Sequence, residues 1–318
     1  MQSLDAIGGY FELELRRGGS FHPTAFALNS ARHCLEYILR VKKYTKLYIP
    51  YYTCSVILQP LERLGVTWER YALNEKLEPQ EVLTLASSEA ILYTNYFGLK
   101  QPAIARLAEQ YGNQLIVDNA QAFYDLPMPG IDTFYSPRKF FGVPDGGYLY
   151  TQRGTVAPLE QDVSVDRMAH LLKRIDLGSE HGYADFRSNN EMLSSVPMRR
   201  MSRLTEMLLN NIDYEAAAVS RRRNFEYLHT ALSNSNGFPV FYESTMVPMV
   251  YPYWTEDCSL RQKLISSKVF VATYWPGVSL VNDVPPLEKH LEQALIPLPI
   301  DQRYSLPDMK RIVNLIKN

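Results

Sequence analysis

Between residues 27 and 151 the chain alternates short apolar runs with helix-length amphipathic stretches, and this alternation limits the fold more than any other feature. "ALNSARHCLEYILRVKK" sets Cys34, Leu35, Ile38 and Leu39 on one helical face, with Asn29 or Ser30 available as its cap. "KLYIP" reads as a short buried strand. "TCSVILQPLERLG" follows as a helix, with a kink expected at Pro60 and a stop at Gly65. "VTWERY" and "EAILYTNYFG" read as strands, "PAIARLAEQYG" as a helix closed by Gly112, and "QLIVD", "IDTFY" and "GGYLYTQ" as further strands. The expected fold is therefore α/β, a mostly parallel sheet covered by helices on both faces.

Past residue 155 the character changes. Residues 158 to 175 read as a helix, and 176 to 198 as polar and irregular, with "HGYADFRSNN" as a mobile or subunit-contacting loop. "RRMSRLTEMLLNNIDYEAAAVSRRRNFEYLHTAL" supplies one long helix, or two broken near Asp213. "TMVPMVYPYW" and "KVFVATYW" read as strands and "SLPDMKRIVNLIK" as a helix of a smaller α/β lobe. The expected division is a large domain over residues 20 to 195 and a small C-terminal domain over 196 to 318. Residues 1 to 19 are expected to pack at the domain or subunit junction.

Bulk properties narrow the function. With 46% hydrophobic residues, 318 residues can bury a large core. Lys and Arg total 33 against 34 Asp and Glu, which argues against gripping nucleic acid or an anionic membrane. The basic run "SRRRNFEY" lies in a helical pattern and reads as a solvated face. Cys34, Cys54 and Cys258 are scattered and odd in number, so a reducing, cytoplasmic setting is expected. The start lacks the charged and apolar regions of a signal peptide, and no apolar stretch reaches the ~20 residues of a membrane span. The six histidines form no cluster with metal-ligand spacing, and no GxGxxG follows a first strand.

Ligands of an open parallel sheet bind where its strands end. "QLIVDNAQAF" places Asp118 at such an end, with Gln121 three residues on, and "DTFYSPRKFFG" puts Ser136 and Lys139 just beyond another. "LNSARHC" opens a helix at Ser30, Ala31 and Arg32, whose backbone N–H groups are free to meet an anion. Singly, each has an ordinary explanation: a turn, a helix cap, a solvated lysine. Their meeting in one sheet domain is the informative observation. His22 reads as an exposed turn residue. His33 is equally readable as a phosphate contact or as a partly buried structural residue.

These segments resemble the DegT-type nucleotide-sugar aminotransferases, pyridoxal phosphate enzymes of the aspartate aminotransferase fold. "LNSARHCLEYIL" is similar to that family's "NSGTAAL", "LIVDNAQAFY" to "IEDAAQAHG", and "DTFYSPRKFFGVPDGGYL" to "GTFSFHPTKNLGAGDGG". The similarity is weaker in "LYIPYYTCSVI", "ILYTNYFG", "RRMSRLTEMLL" and "LIPLPIDQRYSLPDMKRIVNLI". The resemblance implies that Lys139 forms the imine with the cofactor aldehyde, that Asp118 faces the ring nitrogen, and that Gln121 contacts the ring hydroxyl. It implies that Ser30, Ala31 and Arg32 seat the phosphate and that Asn95 stands where the family has a histidine. It further implies transfer of an amino group from an amino acid such as glutamate to a nucleotide-linked keto-sugar, within a homodimer. Polysaccharide or cell-envelope sugar synthesis is the family's usual setting.

The departures carry their own expectations. Phe134 replaces the family's serine five before the lysine, and Ser136, three before it, resembles instead the phosphate serine of the broader aspartate aminotransferase fold, which implies that role for it. Cys54 stands where an aromatic stacks on the ring, so Tyr51 or Tyr52 is expected to take that role. Met198 replaces the asparagine that reaches a partner subunit's phosphate. Arg187, Tyr274 and Trp275 are candidates for substrate contact. Two other outcomes stay open: dehydration or elimination on the same cofactor, and a fold that has lost turnover and serves as a partner subunit.

Overall fold

The computed structural model describes residues 7–16, 18–152 and 157–318. Its centre is a seven-stranded sheet built from β1 (Phe26–Leu28), β2 (Lys46–Pro50), β3 (Thr67–Tyr71), β4 (Glu89–Thr94), β5 (Leu115–Asn119), β6 (Asp132–Tyr135) and β7 (Gly147–Tyr150). The spatial order is β1-β7-β6-β5-β4-β2-β3. The ladders from β3 through β2, β4 and β5 to β6 are parallel, while β7 and β1 are antiparallel additions at one edge. Strand order reverses at β2, which opens a crevice at the carboxyl ends of the neighbouring strands.

Alternate side chains of each strand enter different cores, as a period of two requires. Leu92 and Ile116 join the cluster under α1 (Ala31–Lys42) and α2 (Leu58–Leu64). Ile91, Tyr93, Leu115 and Val117 join the opposite cluster with Ile104 and Leu107 of α3 (Gln101–Tyr111). That second cluster continues without a break into the C-terminal part of the chain, through Phe225, Tyr251, Leu298 and Ile312.

Gly65 caps α2 at φ 66, as its sequence suggests. Pro60 causes no kink, because it lies in the first turn of α2, where its missing N–H has no intrahelical partner to lose. The helix expected over 158 to 175 is shorter, α4 (Ala169–Asp176) after a single tight turn, since Gln161 and Asp162 instead join the strand-like stretch at Arg200. The irregular segment expected over 176 to 198 contains a helix, α5 (Tyr183–Ser195). The break expected near Asp213 is real: α6 (Arg203–Asn210) ends before it, and its carboxylate caps α7 (Tyr214–Leu232) by accepting from Ala216 N–H at 2.9 Å.

Further along come β8 (Val250–Trp254), α8 (Leu260–Ser266), α9 (Pro286–Ala294), β9 (Leu295–Pro299) and α10 (Leu306–Lys317). Among the described residues β8 and β9 pair only with each other. "KVFVATYW" is not a strand: Val269 and Trp275 are buried and Phe270 is exposed, so its alternation reflects packing on the core without a partner strand. The expectation for residues 1 to 19 lies outside the described residues at 1 to 6 and 17. The described part carries exposed Ile7, Tyr10 and Phe11, then joins the end of α6 through Arg16 N–H to Asn211 and Gly18 N–H to Asn210. Among the described residues no helix is long and apolar enough to cross a membrane.

Candidate active site

Asp118 ends β5 with its backbone paired to both neighbours, Thr94 on β4 and Phe134 on β6. Its carboxylate is buried and accepts one bond, from Ala120 N–H at 2.8 Å. Burial pushes its pKa above the ordinary carboxylate value, against the opposing pull of the Lys139 ammonium and the Ala120 N–H. The two groups therefore feel each other's charge.

Lys139 lies in the tight turn that follows β6. Ser136 leaves the strand extended, Pro137 starts the turn with its fixed φ, and Lys139 N–H closes it on Ser136 O at 3.1 Å. The side chain of Lys139 is exposed, while the residue behind it is clamped. Phe140 O accepts from Gln302 Nε2 at 2.9 Å and from the Arg221 guanidinium at 3.3 Å, and Arg221 also covers the Phe140 ring at 4.5 Å. Arg221 is almost fully buried and donates to Met249 O at 3.1 Å, so it ties the lysine turn to the C-terminal half.

The start of α1 is the third component. Ser30 takes an extended conformation and its hydroxyl accepts from His33 N–H at 3.3 Å. Gly146 N–H donates to Asn29 O at 2.9 Å, which brings the glycine pair after the lysine against the helix start. A Cβ at Gly147 would lie 2.6 Å from Ser30 carbonyl atoms and 2.7 Å from Ala31 N, so only glycine permits this approach. Behind it, Arg167 donates to Asp145 at 3.2 Å and to Asp162 at 2.8 Å, and Asn29 Nδ2 donates to Asp162 at 3.1 Å. Burial would lift Asp162, but the bonds from Arg167 and Asn29 outweigh it and hold the carboxyl below its usual range.

These three components line one cavity of about 610 Å³. Ser30, Ala31, Arg32, Asp118, Ser136, Lys139 and Arg187 all face it. α5 forms the far wall through Phe186, Asn190 and Leu193, held to the lysine loop by Asn189 Nδ2 donating to Pro144 O at 2.8 Å. Arg187, expected on a loop, is on this helix at the cavity mouth, 66% exposed and 4.0 Å from Glu191.

Other candidates fall elsewhere. Tyr52 is fully buried and packs on Tyr96 and Trp275, with ring centroids 5.8 and 4.9 Å away. Tyr51 lies beneath the Arg70 guanidinium, 6.0 Å from its ring centroid. Neither lines the cavity, because the chain turns after Pro50 and presents Cys54 and Val56 to it instead. Asn95 is buried, and its amide is committed to Asn119, Asp125 and Lys100 N–H, which shapes the turn after β4. Gln121 is buried beside that turn and accepts from Phe97 N–H at 2.8 Å, while its Nε2 has no hydrogen-bond partner among the described residues. Tyr274 and Trp275 join the aromatic layer with Phe97 and Tyr52 rather than the cavity wall. His22 is buried, not exposed: Nε2 meets Phe123 O at 2.8 Å and Nδ1 meets the Tyr150 hydroxyl at 3.0 Å. His33 is buried too, with Nδ1 bonded to Asn29 and Ser30.

Arg138 and Asn190 also line the cavity and were not singled out from the sequence. The signal for Arg138 was its place next to Lys139 among aromatics, "SPRKFF".

No family model matches the sequence, and no curated protein matches it. Solved structures do match its fold. The putative sugar aminotransferase Spr1654 from Streptococcus pneumoniae, apo-form, aligns at a TM-score of 0.67 and 15% identity, over 92% of this chain and 85% of that one. PLP and PMP forms of Spr1654 also match, at TM-scores of 0.66 and 0.64. A DegT DnrJ EryC1 StrS aminotransferase from Brucella abortus aligns at 0.59 and 15% identity, over 92% of this chain and 85% of that one. DesI, solved in the presence of its TDP-sugar product, aligns at 0.62 and 14% identity, over 92% and 79%. The chain has the fold of these proteins, the α/β architecture expected from its sequence.

Proposed function

We infer that this chain is a pyridoxal phosphate-dependent aminotransferase that moves an amino group from an amino acid donor, glutamate, to a nucleotide-linked keto-sugar. The observation that carries this reading is the meeting of Lys139 and Asp118, from the ends of adjacent parallel strands, in one cavity that also receives the start of α1. The residues present fit the cofactor by their chemistry. An exposed primary amine, a buried carboxylate, a helix N-terminus and the Arg138 side chain all border the same space. The titles of the fold relatives, which name sugar aminotransferases, PLP and PMP forms and a TDP-sugar, point the same way.

In this reading Lys139 would hold the cofactor covalently, Asp118 would hold the proton of its ring nitrogen, and Ser30, Ala31, Arg32 and Ser136 would seat its phosphate. When bound, pyridoxal phosphate supplies an aldehyde that captures amines and a ring that accepts electrons from the donor's Cα. Lys139 Nζ would serve as the base that takes the proton from the donor's Cα and returns it. The Asp118 carboxylate would favour a protonated nitrogen placed beside it. α5 would form one wall of this seat through Phe186, Asn190 and Leu193. Residues 20 to 195 would carry the cofactor and 196 to 318 the smaller lobe, in a cytoplasmic homodimer.

A visible spectrum tests the reading. Protein incubated with pyridoxal phosphate should show an imine band that disappears on addition of glutamate and is absent from Lys139→Ala. A colourless wild-type protein, or a band that persists in the variant, would overturn it. Product analysis with a keto-sugar nucleotide separates amino transfer from dehydration.

A further inference from the structure

The proposed chemistry gives no role to Arg138, a charged side chain of the cavity. Arg138 donates through Nη2 to Asn190 Oδ1 at 2.9 Å, while its Nε is sealed from solvent and has no hydrogen-bond partner among the described residues. Arg32, at the second position of α1, donates to Gln59 Oε1 at 2.5 Å. Both face the same cavity, both have neutral amide partners, and neither forms an ion pair within 4 Å among the described residues. Burial, then the positive charge of Arg32, pushes the Arg138 pKa down to about 10. The carboxylate attracting Arg138 is Asp145, which is already bonded to Arg167 and Ser202.

Two guanidinium groups that repel each other in a half-dry cavity are unfavourable until an anion lies between them. The first turn of α1, a helix of 12 residues, opens onto the same space. Ser136 adds a hydroxyl. Guanidinium forks and helix N–H groups together match a phosphate ester, which has enough oxygens to serve all of them, better than a carboxylate with two. We propose that Arg32 and Arg138 clamp the phosphate of the cofactor from two sides, so that one chain alone supplies a dicationic phosphate seat. This rests on the aminotransferase reading and adds a phosphate-binding role for Arg138.

The test compares pyridoxal phosphate with pyridoxal, which lacks the phosphate, as ligands of the full chain. Capture is followed by the imine absorbance, and inorganic phosphate is used separately as a stabiliser in thermal melts. Arg138→Gln and Arg32→Gln should each weaken capture of pyridoxal phosphate about 10- to 100-fold and leave capture of pyridoxal unchanged. Inorganic phosphate should raise the melting temperature of wild type and not of Arg138→Gln. Equal weakening of both ligands, or none, would overturn the clamp. If wild type captures neither aldehyde, the aminotransferase reading falls. The melts with inorganic phosphate then decide the clamp separately: an Arg138-dependent shift keeps the anion seat, and its absence removes it. Should Arg138→Gln not fold, Arg138→Lys carries the test: it keeps the charge but loses the fork, so a selective loss for the phosphorylated ligand is again expected.

Discussion

Asp118 lies directly opposite Phe134 in the parallel ladder of β5 and β6, five residues before Lys139. The register of two strands therefore fixes how far the carboxylate stands from the amine. A slip of one residue would turn Asp118 into the opposite core and dismantle the pair.

Asp118 is kept buried at some cost to the unliganded protein. Its folded pKa is raised above 3.8, so the folded state holds its proton where the unfolded chain has lost it. Stability accordingly falls as pH rises through that window. Asp118→Asn should melt higher than wild type at pH 7, with the gap narrowing as pH falls toward 4. On the proposed function, turnover should drop roughly 10²-fold or more, because the charge assigned to the ring nitrogen is gone. Thermal melts across pH, paired with steady-state rates, check both halves.

Arg167 neutralises Asp145 and Asp162, which brace the loop after the lysine and the residue before α1. Arg167→Met would leave buried Asp145 without its cation and Asp162 with only the Arg199 guanidinium at 3.6 Å. A loss of about 3–5 kcal/mol in urea unfolding is expected, and a change below about 1 kcal/mol would show that the network is dispensable.

Gly147→Ala would drive a Cβ into the backbone of Ser30 and Ala31, neither of which can yield like a flexible side chain. About 1–3 kcal/mol of stability should be lost, and pyridoxal phosphate capture should weaken with it. Gly142→Ala is the control: its nearest neighbour is the Leu171 methyl at 3.4 Å, and near-neutral behaviour is expected.

His22 governs part of the acid limb. Burial pushes its pKa from 6.5 down to about 4, against the pull of its bond to Phe123 O, so the ring is neutral in the fold. Below pH 6.5 the unfolded chain binds a proton that the folded one refuses, and stability is lost as pH falls toward 4. The loss is on the order of 3 kcal/mol, and His33, lowered to about 4 as well, contributes another of the same sign. His22→Gln should flatten the dependence of unfolding free energy on pH between 4 and 6.5 by roughly half of the histidine contribution. An unchanged slope would place the acid sensitivity elsewhere.

Much of this site was legible because its key groups end strands or start helices, where local pattern is strongest. The alternation alone places Lys139, Asp118 and Ser30 near one edge of the sheet; the roles given to them come from the family resemblance. α5 was not legible: of its residues only Asn189 and Leu193 are buried, so it carries no apolar stripe. What holds Asn189 is the carbonyl of Pro144, a tertiary contact that periodicity cannot report. Which side Tyr51 and Tyr52 take is decided by the turn after β2, and it is Cys54 that lines the cavity. His22 looked exposed because two turn-forming glycines precede it, yet Phe123 and Tyr150, over a hundred residues away in sequence, supply its partners. The Arg167 network escaped for the same reason, since its members span residues 29 to 167.

The clamp on Phe140 O has a consequence in time. Gln302, one of its two donors, is 162 residues further along the chain, and Arg221 reaches its own carbonyl acceptors only at Pro248 and Met249. A ribosome making this protein releases the lysine segment long before either donor can engage. The nascent chain thus carries Lys139 in surroundings that stay unfinished until the last strands and helices emerge.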